Sequence, residues 1–221
     1  MMTIKEIKAI CENYYIKNYS INSDGSIDVD GDVNLSERYL TDLPLRFNRV
    51  TGYFNCTYNS ITTLNGAPIS VGGEYDCSSN HLISLEGVPV TVSGHFYCSN
   101  NQLTSLEYCP TTVGGDFSCS DNELTSLEFG PTTVGGDYSS TKNKLTNLIG
   151  CPTTIGGTFY CMSNRLTSLY GGPVTVGGGY VCCYNYGIVS LEGFPESVGG
   201  GIITGLDQAQ LRLLTIDNML A

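Results

Sequence analysis

Between Arg49 and Lys142 the chain carries no lysine or arginine, while nine aspartates and glutamates fall in that window, from Glu74 to Asp137. Over the whole chain 21 acidic residues face 10 basic ones, for a net charge of −11. A stretch of this sign repels phosphates, which excludes direct nucleic-acid binding through it and favours a partner with a basic surface. Long apolar runs are also missing. The opening residues MMTIKEIKAI hold no signal-peptide core and no segment approaches membrane-spanning length, so the expectation is a cytoplasmic protein with no membrane contact. Histidine is scarce, with only His81 and His95. No stretch in the body of the chain is long and periodic enough for a helix.

What the chain has instead is a register. Asn59, Asn80, Asn101, Asn122, Asn143, Asn164 and Asn185 recur every 21 residues, and a motif travels with them: V-G-G-x-aromatic-x-C-x-x-N-x-L-x-x-L-x-x-x-P. The clearest copy, residues 113–131, reads VGGDFSCSDNELTSLEFGP. So short a period allows one coil of chain per repeat, and the fold it predicts is a β-rich solenoid. Within a coil the alternation of Phe117 and Cys119 with Asp116, Ser118 and Ser120 reads as one short parallel strand, the first two inward. An Asn amide both donates and accepts, so a stacked Asn column can satisfy turn groups that sheet bonding cannot reach. Pro and the Gly-Gly pair are expected to form the return bend, the glycines through positive φ.

Ten cysteines do not make a disulfide framework here. Cys56, Cys77, Cys98, Cys119, Cys161 and Cys182 occupy one core slot, with Ser140 standing in for the missing member. Equivalents stacked in one row are small hydrophobes, expected to be reduced and inert. Adjacent strand residues face opposite ways, which argues against metal binding by Cys182 with Cys183. Asp28 to Asp32 has a calcium-loop flavour, but Val33 and Tyr39 stand where an EF-hand needs Gly and Glu. No cofactor is implied. The register extends backward to a degenerate coil, with Val33, Leu35, Leu40, Leu43 and Phe47 aligned to Phe54, Cys56, Ile61, Leu64 and Pro68, and Arg38 in the Asn slot. Three parts follow: an N-terminal cap over 1–28 (a helix, then a hairpin turning at Asn22–Gly25), a solenoid over 29–205, and a C-terminal capping helix over 206–221.

The N-x-L-T-S-L-x-x-x-P core resembles the short leucine-rich repeats of bacterial secreted ubiquitin-ligase effectors. The V-G-G-x-F-x-C variant is similar to leucine-rich repeat proteins of large tailed bacteriophages and some bacteria. The resemblance spans roughly residues 29–205 and implies a horseshoe whose motif residues are scaffold. The effectors' ligase activity lies in a separate domain, and only about twenty residues follow the repeats here.

Alternation also gives the face such a horseshoe would turn inward. Its central column runs Asn34, Asn55, Asp76, Tyr97, Ser118, Ser139, Tyr160, Val181, Ile203. The candidate binding residues are Tyr53, Glu74, Asp76, His95, Tyr97, Asp116 and Asp137 toward one end, and Tyr160, Met162, Val181, Cys183 and Tyr184 toward the other. Carboxylates give way to an apolar, aromatic patch, the composition of a protein-binding surface. The resulting expectation is a non-catalytic macromolecule-binding protein. The phage-type resemblance implies a viral factor that occupies or inhibits a host protein, a defence protein included, in the bacterial cytoplasm. Two other classes stay open: a structural or adhesive virion or surface component, with self-association into a small homo-oligomer, and an enzyme using His95 with Glu74 and Asp116.

Overall fold

A computed structural model describes residues 2–205, and its architecture is a β-solenoid with 21-residue coils and, among the described residues, a single helix. The capping helix expected over 206–221 lies outside the described residues.

Helix α1 spans Ile4–Asn13. Thr3 starts it as a capping box: the Glu6 amide donates to Thr3 Oγ1 (3.3 Å) and the Thr3 amide to Glu6 Oε2 (2.7 Å), which occupies two otherwise orphan donors. Ile7 and Cys11, four residues apart on one face, are buried, whereas Ile4 in the first turn stays exposed. A hairpin follows, with β1 (Tyr19–Ile21) antiparallel to β2 (Ile27–Val29) around the expected turn, closed by the Gly25 amide on the Asn22 carbonyl at 3.0 Å. β2 then pairs in parallel with Phe47–Val50, so hairpin and coils share one sheet.

Each full coil contributes two short strands, where the motif predicts one. The aromatic strands stack into a nine-stranded parallel sheet from Val33–Asn34 to Ile202–Ile203. Residues such as Thr112–Val113, which the motif places at the return bend, form a second parallel ladder. At roughly 4.8 Å per step, nine strands make a column about 40 Å long. The degenerate first coil falls in register, Val33 on Phe54 and Asn34 on Asn55. Near the far end one coil is a residue longer, with Pro195 lying 22 residues after Pro173, and the sheet absorbs it: Tyr180 pairs with Ile202 and Val181 with Ile203.

The Gly-Gly pairs are the corner between the two ladders, and positive φ is not what requires them. A Cβ built on Gly114 or Gly156 would fall 2.1 or 2.0 Å from the carbonyl oxygen of the coil below. Glycine is needed because one backbone packs directly on the next. Ser93 puts a Cβ in that slot, and there the second ladder is interrupted, between Ser70–Val71 and Thr91–Val92. Thr51 also carries a Cβ in that slot, yet its amide still donates to the Val29 carbonyl at 3.0 Å; the register shift in the pairing of β2 lies earlier, opposite Asn48.

Inside, rings from Phe47 through Phe54, Tyr75, Phe96, Phe117, Tyr138, Phe159 and Tyr180 to Phe194 form one stack with neighbouring centroids 4.8–6.1 Å apart. Beside it runs the cysteine column, fully buried and free of disulfides. Cys77, Cys98 and Cys119 each donate a thiol hydrogen to a carbonyl of the coil above at 3.4–3.5 Å. Burial pushes the Cys77, Cys98 and Cys119 thiols well above the usual range; at Cys182 a hydrogen bond with Cys161 works the other way. The Asn column works as the sequence predicts. Asn122 Nδ2 donates to the carbonyls of Cys98, Cys119 and Ser120 at 3.0–3.2 Å, and its Oδ1 accepts the Leu103 amide at 2.9 Å, so one side chain ties two coils together.

Candidate functional site

The outer face of the nine-stranded sheet is where the sequence places its candidate residues, and the register puts them in the expected columns. Asn55, Asp76, Tyr97, Ser118, Ser139, Tyr160 and Val181 are paired neighbours along the sheet. The aromatic and Cys positions point inward, so these alternate residues face out, and each is half-buried by its neighbours.

The acidic end is a bonded cluster. The rings of His95 and Tyr97 stack at 5.7 Å with planes 16° apart, and the Tyr97 hydroxyl donates to Asp116 Oδ2 at 3.3 Å. Burial first, then the charges of Asp116 and Glu74, push the Tyr97 hydroxyl up to about 12. His95 Nδ1 accepts the Asp116 amide at 3.0 Å and also lies 3.2 Å from Asp116 Oδ2, so both the backbone and the side chain of Asp116 hold the ring in place. Burial raises Asp76, against two hydrogen bonds with Ser78 that lower it, and raises Glu74, which the Asp76 charge pushes further.

The column beside this cluster has a role the sequence did not show. Asp116 Oδ1 accepts the Asp137 amide (2.8 Å), Asp137 Oδ1 the Thr158 amide (2.6 Å), and Thr158 Oγ1 the Gly179 amide (3.1 Å). Each side chain caps the corner of the coil above. Asp116 and Asp137 are thus scaffold acceptors as well as surface charges. Tyr53 and Glu74 make no such bond among the described residues.

Beyond the cluster comes a band of hydroxyls linked in series. Ser99 meets Ser118 at 2.8 Å, Ser118 meets Ser120 at 3.1 Å, and Ser120 meets Ser139 at 2.7 Å. Then follows the patch of Tyr160, Met162, Val181 and Cys183 in adjoining columns. Tyr184 stands apart at an exposed corner past the strand, in the left-handed region (φ 61°). Of the twelve candidates Tyr53 alone lines a described cavity, a space of about 350 Å³ where the end of α1 meets the first coil beside Tyr14, Asp32 and Arg38.

Chemically, this face offers fixed acceptors, hydroxyls and a small apolar area. Among the described residues no group of three or more His, Cys, Asp or Glu is placed to hold a metal ion, and no helix is long and apolar enough to cross a membrane. Comparison with models of protein families, with curated proteins and with solved structures gave no match.

Proposed function

We propose that this chain is a leucine-rich-repeat-type binding protein whose nine-stranded outer face receives a protein partner. The observation that carries the reading is the order along that face: a bonded His95–Tyr97–Asp116 cluster, a hydroxyl band, then Tyr160, Met162, Val181 and Cys183. A partner matching it bears basic groups at one end and an apolar contact at the other. Tyr97 and Tyr160 are the large outward side chains on this surface that binding would desolvate, so they carry most of its energy. The His95 imidazole is engaged with a backbone amide, which favours recognition over acid–base catalysis. The phage-type motif extends the proposal to a virus-encoded protein that occupies a host protein in the bacterial cytoplasm.

The test is capture from bacterial lysate by wild type and by a Tyr97→Ala/Tyr160→Ala double variant with a matched melting curve. We expect the captured partner to bind the double variant at least about tenfold more weakly. Full retention would sink the outer-face reading.

A further inference from the structure

Each full coil ends its leucine segment in a four-residue turn, closed by the amide of the fourth residue on the carbonyl of the first: Ala67 on Leu64 (2.9 Å), Cys109 on Leu106 (2.9 Å), Cys151 on Leu148 (3.0 Å). The third residue always has positive φ, as in a type II turn. Gly66, Gly87, Gly150, Gly171 and Gly193 fill that position at φ 79–104°. Two consecutive coils do not use glycine. Tyr108 (φ 68°) and Phe129 (φ 66°) adopt the same left-handed backbone, and both are exposed, Phe129 by 70%.

An aromatic residue is a poor choice there on two counts. A left-handed backbone strains any residue with a Cβ. In the glycine coils on either side the slot also lies against the coil below: a Cβ built on Gly87 would come within 2.8 Å of a backbone carbonyl oxygen and one on Gly150 within 2.2 Å of a backbone nitrogen. Nothing in the fold is gained in return, because neither ring joins the core stack or is buried. Side chains kept at a cost to the scaffold and displayed to solvent mark a working surface.

Its surroundings define the occupant. Glu107 and Glu128, the residues just before the two aromatics, are exposed, as is Glu86 one coil lower, and none forms an ion pair among the described residues. In the next two coils the same turn position becomes Ile149 and Tyr170, both exposed. These turns are bonded in sequence, the Leu127 amide to the Ile149 carbonyl (3.1 Å) and the Leu148 amide to the Tyr170 carbonyl (2.8 Å). We propose that this turn edge, centred on Tyr108 and Phe129, is a second docking site, for a cationic and apolar segment of another protein. A second copy of this chain fits poorly: residues 1–49 hold six basic against eight acidic residues, and in the net-basic stretch 138–191 two of the three cations, Lys142 and Lys144, are already paired with Asp121 and Glu123. Nucleic acid and anionic membranes are repelled by the same carboxylates.

The test uses the full chain, a Tyr108→Gly/Phe129→Gly variant, and a fluorescein-labelled peptide of alternating lysine and leucine pairs. Matched peptides carry glutamate for lysine or serine for leucine. At physiological salt the lysine–leucine peptide should bind wild type best of the three, and the glycine variant at least about tenfold more weakly. The variant should also melt a few degrees higher, because the strain is gone. Undiminished binding by the variant, equal binding of the glutamate or serine peptide, or a lower melting temperature would each overturn the proposal. A Tyr97→Ala/Tyr160→Ala protein separates the two surfaces: retained peptide binding there supports the turn edge, and loss of binding there with retention in the glycine variant would move the peptide to the outer face and overturn this proposal.

Discussion

The coils below Tyr97 and those from Asp116 upward share one motif but not one way of being held together. In the upper coils Asp116, Asp137 and Thr158 each hand an oxygen to the amide of the next coil, and the second ladder runs unbroken from Thr91–Val92 to Ser197–Val198. In the lower coils Asp32 Oδ1 accepts the Tyr53 amide at 3.0 Å, but the next two members of the column, Tyr53 and Glu74, make no such bond among the described residues, and the second ladder stops at Ser70–Val71. Carboxylates that look alike in the sequence therefore divide in two. Asp116 and Asp137 tie one coil to the next, while Glu74 makes no such bond among the described residues and Asp76 accepts an amide within its own coil, from Ser78.

The strongest way to break this comparison is the Asn column. Asn122→Ala strands buried carbonyls of two coils and the Leu103 amide, and should cost about 1–3 kcal/mol. Asn59 makes the same kind of bonds but is half-buried, so water can replace part of the loss and Asn59→Ala should cost less. Equal losses in denaturant melts would mean the two regions are equally tight.

A sharper and smaller contrast sets Asp137 against Glu74. Asp137→Ala removes the acceptor of the Thr158 amide and should cost about 1 kcal/mol, while Asp137→Asn, which keeps an oxygen there, costs only a fraction of that. Glu74→Ala should be neutral or slightly stabilising, because it relieves Asp76. A clear loss at Glu74 would show a scaffold bond that the geometry does not contain.

The smallest effect isolates charge. Asp76 Oδ1 accepts the Ser78 amide at 2.9 Å, and Asn34 and Asn55 make the equivalent bond, at 3.0 Å, in the two coils below. Asp76→Asn therefore keeps the bond and discards the charge. Burial holds the Asp76 carboxyl above its ordinary range, so the folded state takes up its proton first and stability rises as pH falls through that raised value. The substitution should gain roughly 0.5 kcal/mol or less at neutral pH. That gain should vanish in acid, once wild-type Asp76 is protonated as well. A gain of the same size at both pH values would assign it to something other than ionisation.

The core was legible because every inward slot repeats: aromatic, Cys, Leu and Asn each recur at one offset, and the register follows from them. Two features of the coil were not. The two residues before each glycine corner, Thr-Val in most coils, look like part of a bend, since two residues are too few to show strand alternation; only stacking reveals the second ladder. The Gly-Gly pairs suggested positive φ, when close approach of backbones was the cause, and a single sequence does not separate those two uses of glycine. At the site, the column order was readable but the bonding was not. An Asp that caps a neighbouring coil and an Asp that faces a partner are the same letter at the same spacing. Tyr108 and Phe129 did leave a signal, as the two exceptions to a glycine slot.

Ser93 has a mechanical consequence. Most coils are stitched to their neighbours along two seams, and at Ser93 one seam is open while the aromatic seam continues from Tyr75 to Phe96. A rod sewn this way is not equally stiff along its length. Load that splays the second ladder meets least resistance between Val71 and Val92, and flexing there swings the stretch that bears Glu74 and Asp76 relative to the stretch that bears Tyr160 and Val181.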